Sequence, residues 1–98
     1  MTTETDIGTL IARTRGLHGG RPHVAGTGVT VGRIVTWYKL GFTPEVIRDQ
    51  MGHPTLSLAQ VYAALTYYHA NRDEVEQDLS EEDAEATRLE ALHHRRAT

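Results

Sequence analysis

Between residues 31 and 70 the apolar positions recur with the period of a helix rather than of a strand. Val31, Ile34, Val35 and Tyr38 stand at i, i+3, i+4 and i+7, which predicts one apolar helical face ending at Gly41, a natural C′ residue. In the next run, "FTPEVIRDQMG", Thr43 suits the N-cap, Pro44 suits N1, and Glu45 places negative charge in the first turn. Phe42 at N′ is spaced to staple Ile47 at N4, and Gly52 closes this short helix. A third helix is predicted over "LSLAQVYAALTYYHA". Ser57 and Gln60 have the spacing of a capping box, and Leu56 and Val61 that of a staple. Leu58, Val61, Tyr62, Leu65 and Tyr68 or His69 share one face, and the helix runs toward Asn71 or somewhat beyond.

The flanks follow different patterns. "TLIAR" and "HVAGTGVTV" are β-compatible, and Gly26 and Gly28 predict a bend or bulge between two short arms. So brief a pair is marginal alone and must lie on the helices or pair with a second copy of the chain. At the other end, Ser80 before "EEDAEATRLEALHH" reads as a new N-cap with an acidic first turn. Ala84, Leu89 and Leu92 give that helix only a thin apolar stripe, so it frays or finds a partner. The expected fold is mainly α: a short N-terminal β arm or hairpin, a three-helix homeodomain-like helix-turn-helix bundle, and an acidic C-terminal helix. The division is residues 1–78 as the body and 79–98 as the acidic extension.

Length and charge sharpen this picture. The chain of 98 residues makes one small domain. Its net charge of -3 is unevenly spread. Residues 1–72 carry Arg13, Arg15, Arg21, Arg33, Lys39, Arg48 and Arg72 against Glu4, Asp6, Glu45 and Asp49, a balance of +3. Residues 73–98 carry nine acids against three arginines, a balance of -6. A basic body with an acidic extension suggests two tasks in two places; the alternative is two ordinary solvated faces.

Catalytic readings find little support. Gly26-Thr27-Gly28 begins a dinucleotide fingerprint, but Val31 stands where the third glycine belongs, and no P-loop lysine follows. The glycines are therefore read as a backbone device. Of the histidines at 18, 23, 53, 69, 93 and 94, His93 and His94 point about 100° apart on a helix and do not chelate, while His18 and His23 could meet across a hairpin but as two ligands do not make a closed site. Without cysteine there is no thiolate site or disulfide. No enzyme activity, metal or cofactor is expected. The stretch from Gln50 to Asn71 lacks charges but is too polar for a membrane span. The N-terminus has no basic region of a secretory signal, so a cytoplasmic location is expected.

Three capped helices fit a DNA reader whose third helix enters the major groove. Gln60 can pair with adenine and Ser57 can reach a phosphate or base edge, with Arg33, Lys39 and Arg48 as phosphate clamps. Against this, Leu58 to Ala70 contains no Arg or Lys, and "GHPTLS" is long for the turn. The other reading is a plain helical core in which Gln60 only completes the cap. Trp37 and Tyr67 fall off the apolar stripes, and with Tyr62 they point to a homodimer interface.

"GLHGGRPHVAGTGVTV", "GFTPEVI" and "LSLAQVYAALTYY" together resemble the prokaryotic family catalogued as domain of unknown function 433, over about residues 13–75. Gly19, Gly20, Arg21, Pro22, Gly26 and Thr27 match its signature positions; Gly28 and Thr30 stand where members usually carry Arg and Pro. The resemblance implies a helix-turn-helix-like fold and the antitoxin of a type II toxin–antitoxin pair. Such a protein binds a PIN-like ribonuclease toxin and, as a dimer, represses transcription from its own operator DNA. On that reading the acidic extension covers the toxin through Leu89 and Leu92, and Arg95 or Arg96 pairs with the toxin's metal-binding carboxylates. The rival from another class is a protein-interaction or dimerisation module without DNA binding.

Overall fold

The computed structural model describes residues 7–13 and 20–97, with the side chains of 8–13 and 20–92. Gly19, Arg95 and Arg96, as well as His18, His93 and His94, lie outside the described side chains. A 3-10 turn at Ile7–Thr9 precedes strand β1 (Ile11–Ala12), strand β2 (His23–Val24) and helices α1 (Val31–Lys39), α2 (Pro44–Met51), α3 (Leu58–Ala70) and α4 (Arg72–Ala97). The architecture is mainly helical, with a two-stranded antiparallel hairpin at its N-terminal end. Its register pairs Ile11 with Val24 and Ala12 with His23.

The glycine-rich segment is the bend expected of it. After β2 the chain doubles back: the Val24 amide donates to the Val29 carbonyl at 2.7 Å, and the Val31 amide to the Pro22 carbonyl at 3.0 Å. Thr27 locks the bend, its hydroxyl donating to the Val24 carbonyl at 2.9 Å while accepting from the Val29 amide at 3.1 Å. Gly26 and Gly28 have φ of 77° and 74°. An added Cβ would meet nothing within 4 Å at either, so the left-handed conformation, not close approach, calls for glycine. The arm lies on its own helices, with Val24 and Val29 in the core.

The predicted Thr43 cap of α2 forms, and Thr30, not expected from the sequence, caps α1; each accepts from the backbone N–H three residues on. At α3, Ser57 and Gln60 close a full capping box. Val31, Ile34 and Val35 of α1, Ile47 of α2, Leu56, and Val61, Ala64, Leu65 and Tyr68 of α3 make one continuous core.

Three expectations need correction. Tyr62 does not share the buried face of α3: it is exposed, while Tyr67, expected to fall off the stripe, packs against the core. Tyr38 is likewise largely at the surface. Ser80 caps nothing, because α4 begins at Arg72 and runs unbroken through it. The break falls instead at Asn71 (φ -134°, ψ 45°), which closes α3 through its own amide group on the Tyr67 carbonyl at 3.2 Å. The Asn71 carbonyl then accepts from the Val75 amide at 3.1 Å and starts α4. The 78/79 division therefore falls inside one helix.

Candidate partner-binding site

The 26 residues of α4 span about 39 Å, more than either short dimension of the molecule, 28 and 24 Å. Its two ends behave differently. The first part is docked. Val75 is fully buried, and Leu79 packs against the core. Gly32 of α1 makes that approach possible: a Cβ there would stand 3.2 Å from Leu79 Cδ2 and 3.6 Å from Glu82 Oε2. With Glu76 at Lys39 and Leu79 and Glu82 at Gly32, α4 runs antiparallel along α1.

Carboxylates of α4 meet cations of the body along this line. Lys39 Nζ donates to Glu76 at 2.6 Å, and the Tyr68 hydroxyl donates to the other Glu76 oxygen at 2.6 Å. The Lys39 hydrogen bond first, and then that of Tyr68, holds the Glu76 carboxyl below its ordinary range. The same bond to a carboxylate pushes the Tyr68 phenol up. Arg13 pairs with Glu74, which also accepts from the Tyr67 hydroxyl at 2.8 Å. Arg21 lies between Glu81 and Glu82, at 3.6 and 3.7 Å. At the Asn71 corner, the Arg72 guanidinium sits 5.3 Å from the Tyr68 ring centroid.

Beyond Glu82 the helix loses the body. Every described residue from Asp83 to Leu92 is exposed, including Leu89 and Leu92 at 54% and 46%. Those two leucines are three residues apart and so adjoin on one helical face. Asp83, Glu85 and Glu90 make their surroundings acidic, with Arg88 among them.

The other sequence-based candidates are dispersed. Ser57 Oγ accepts from the Gln60 amide at 3.2 Å, and Gln60 Oε1 accepts from the Ser57 amide at 2.8 Å. Two-point pairing of Gln60 with adenine therefore requires it to release Ser57. Arg48 pairs with its neighbour Asp49 at 3.2 Å, and Lys39 points at Glu76 rather than toward the start of α3. Arg33 is exposed on α1. Among the aromatic residues, Trp37 is half-buried and edge-on to Phe42, with centroids 5.3 Å apart, and Tyr67 is held by Glu74. Tyr62 alone of the three is open, its hydroxyl donating to Glu45 at 3.2 Å, which raises the phenol pKa. Leu40, Phe42 and Val46, exposed at 69%, 37% and 36%, lie about the α1–α2 turn, Leu40 on the side of α4 beside Glu76 and Leu79. Sequence reading assigned Phe42 to the staple with Ile47, and Leu40 and Val46 carry no motif that marks them. Among the described residues no group of three or more His, Asp or Glu is placed to hold a metal ion, and no helix is long and apolar enough to cross a membrane.

A mainly helical domain with a two-stranded antiparallel hairpin at its N-terminal end is the class these observations define. The chain belongs to the family described as protein of unknown function (DUF433), whose model matches residues 11–68. It is similar in fold to the crystal structure of a member of that family from Anabaena variabilis ATCC 29413. That likeness has a TM-score of 0.66 at 22% sequence identity and covers 74% of this chain and 69% of the other. No curated protein matches the chain significantly. The family match ends at Tyr68, so α4 lies beyond it.

Proposed function

We propose that this chain is a non-catalytic cytoplasmic antitoxin of a type II toxin–antitoxin pair, with two binding surfaces. The distal half of α4 takes a PIN-like ribonuclease, and the helical body, as a homodimer, takes operator DNA in a helix-turn-helix manner. One observation carries the reading: α4 is anchored by Val75 and Leu79 and then continues for ten described residues, 83–92, all of them exposed, Leu89 and Leu92 included. A helix held at one end and bare at the other is suited to close on a partner.

The chemistry of a ribonuclease fits that surface. Its RNA-binding cleft must attract a polyanion, and an acidic helix offers the same charge with Leu89 and Leu92 as apolar anchors. Arg95 and Arg96 follow in the sequence, and on this reading one or the other pairs with the cleft's metal-binding carboxylates. Dimerisation falls to the open Tyr62 with the neighbouring turn residues Phe42 and Val46, and to Trp37, which is edge-on to Phe42.

The test is co-expression with the PIN-like ribonuclease of the neighbouring reading frame. The full chain is expected to co-purify with it and suppress cleavage of single-stranded RNA. A Leu89→Ser/Leu92→Ser chain, altered only at exposed positions, is expected to lose both effects. Unchanged neutralisation by that variant, or no such reading frame, rejects the reading.

A further inference from the structure

The charge pairing along α4 raises a question the toxin surface does not answer: why the body's cations are spent on the chain's own helix. Arg13, Arg21 and Lys39 are three of the body's basic residues, and each meets a carboxylate of α4. Arg21 is the most covered, its side chain only 22% exposed between Glu81 and Glu82. The covering is ordered. From Glu74 to Glu82 is about 12 Å of helix, with carboxylates at Glu74, Glu76, Asp78, Glu81 and Glu82, all but Asp78 set against a cation of the body. Arg21 and Lys39 flank the two ends of α1, which α4 follows in the opposite direction.

From this geometry we infer that residues 74–82 of α4 are a built-in competitor for nucleic acid: they occupy, in place of duplex DNA, the cations with which the body would hold phosphates. The inference rests on the DNA-binding half of the proposed function and adds its regulation. Carboxylates carried on a helix match a strand of phosphates in the sign of their charge. Three features make it displaceable. Arg21 is held at 3.6 and 3.7 Å, longer than direct hydrogen bonds. Surface ion pairs of this kind are screened by salt and individually weak. The same helix continues into the bare partner-binding half, so a protein that seizes residues 83–92 acts on the lever that covers Arg21.

The experiment measures fluorescence anisotropy of a labelled duplex of arbitrary sequence, titrated with the whole chain from about 50 to 200 mM salt. Glu81→Gln/Glu82→Gln frees Arg21 without changing side-chain size. Asp73→Asn/Glu90→Gln makes the same change in net charge at carboxylates outside residues 74–82 that have no ion-pair partner among the described residues. Circular dichroism checks that both keep their helix content. The first variant is expected to bind duplex about threefold to tenfold more tightly than the second, with a salt slope steeper by about 0.9, the value for one added phosphate contact. Adding Arg21→Ala is expected to remove that excess. Equal affinity of the two variants, or an excess that survives Arg21→Ala, overturns the competitor role while leaving DNA binding in place. No binding by any variant at the lowest salt overturns both this inference and the DNA reading beneath it.

Discussion

Gly32 offers the sharpest test of how α4 is held. It is the second residue of α1, and its missing side chain is the space into which Leu79 fits. A Cβ at 3.2 Å from Leu79 Cδ2 is inside the optimal carbon separation of about 3.5–4.0 Å. In Gly32→Ala the neighbour must yield by a few tenths of an ångström. The backbone gains about 0.5–1 kcal/mol of helix preference over glycine, so the two effects nearly cancel. In Gly32→Val two further carbons push toward Leu79 and the Glu82 carboxylate, and the β-branch forfeits part of the helix gain. Overpacking of this kind costs about 1–3 kcal/mol. The assay is urea unfolding followed by the fluorescence of Trp37, the sole tryptophan, which is half-buried beside Phe42. With a slope of about 1–3 kcal/mol/M, a loss of about 1.5 kcal/mol lowers the midpoint by roughly 0.5–1.5 M. Leu79→Ala in the same chain makes room, so Gly32→Val is expected to cost less in that background. A Gly32→Val chain with the wild-type midpoint and slope refutes the close packing of α4 on α1. So does a cost unchanged by Leu79→Ala.

Two further outcomes follow from the same helix. Val75→Ala, which removes two methyl groups from a fully buried site, is expected to cost about 1–3 kcal/mol. Leu89→Ala on the bare half is expected to stay within about 0.5 kcal/mol, so equal costs in urea unfolding would contradict the division of α4. The third concerns pH. Because the folded state lowers the Glu76 pKa, its contribution is complete above the unfolded value and is lost as pH falls through the folded one. The stability gap between wild type and Glu76→Gln is thus expected to hold near neutrality and close in acid. A gap independent of pH down to strongly acidic solution would show that the Lys39–Glu76–Tyr68 contact adds nothing.

Much of the fold was legible because its signals are local. Thr30 was not read as a cap from sequence, but Thr43, and Ser57 with Gln60, were, and each cap forms as its spacing demands. The α1 stripe was right at Val31, Ile34 and Val35 and failed at Tyr38, where the helix nears its end and the ring turns to His69 and Tyr68 at the surface. Tyr62 and Tyr67 exchanged roles because helical spacing alone does not say how wide the covered arc of α3 is. That arc is widened by β1 and the start of α4, which pack beside Tyr67. The start of α4 was hidden for another reason. "NRDEVEQDLS" offers only Val75 and Leu79 as apolar positions, too few to announce an amphipathic helix, so the first acidic turn after Ser80 looked like the beginning.

What the sequence determined alone was everything decided within a few residues: the caps, the glycine bend, the helix periods, and the segregation of basic from acidic charge. What only the tertiary structure decided was where that acidic charge goes. Glu76, Glu81 and Glu82 find Lys39 and Arg21 across dozens of intervening residues, and Gly32 lets Leu79 in. Such pairings depend on the relative placement of whole helices, which the burial of Val75 and its neighbours sets and no short-range pattern encodes.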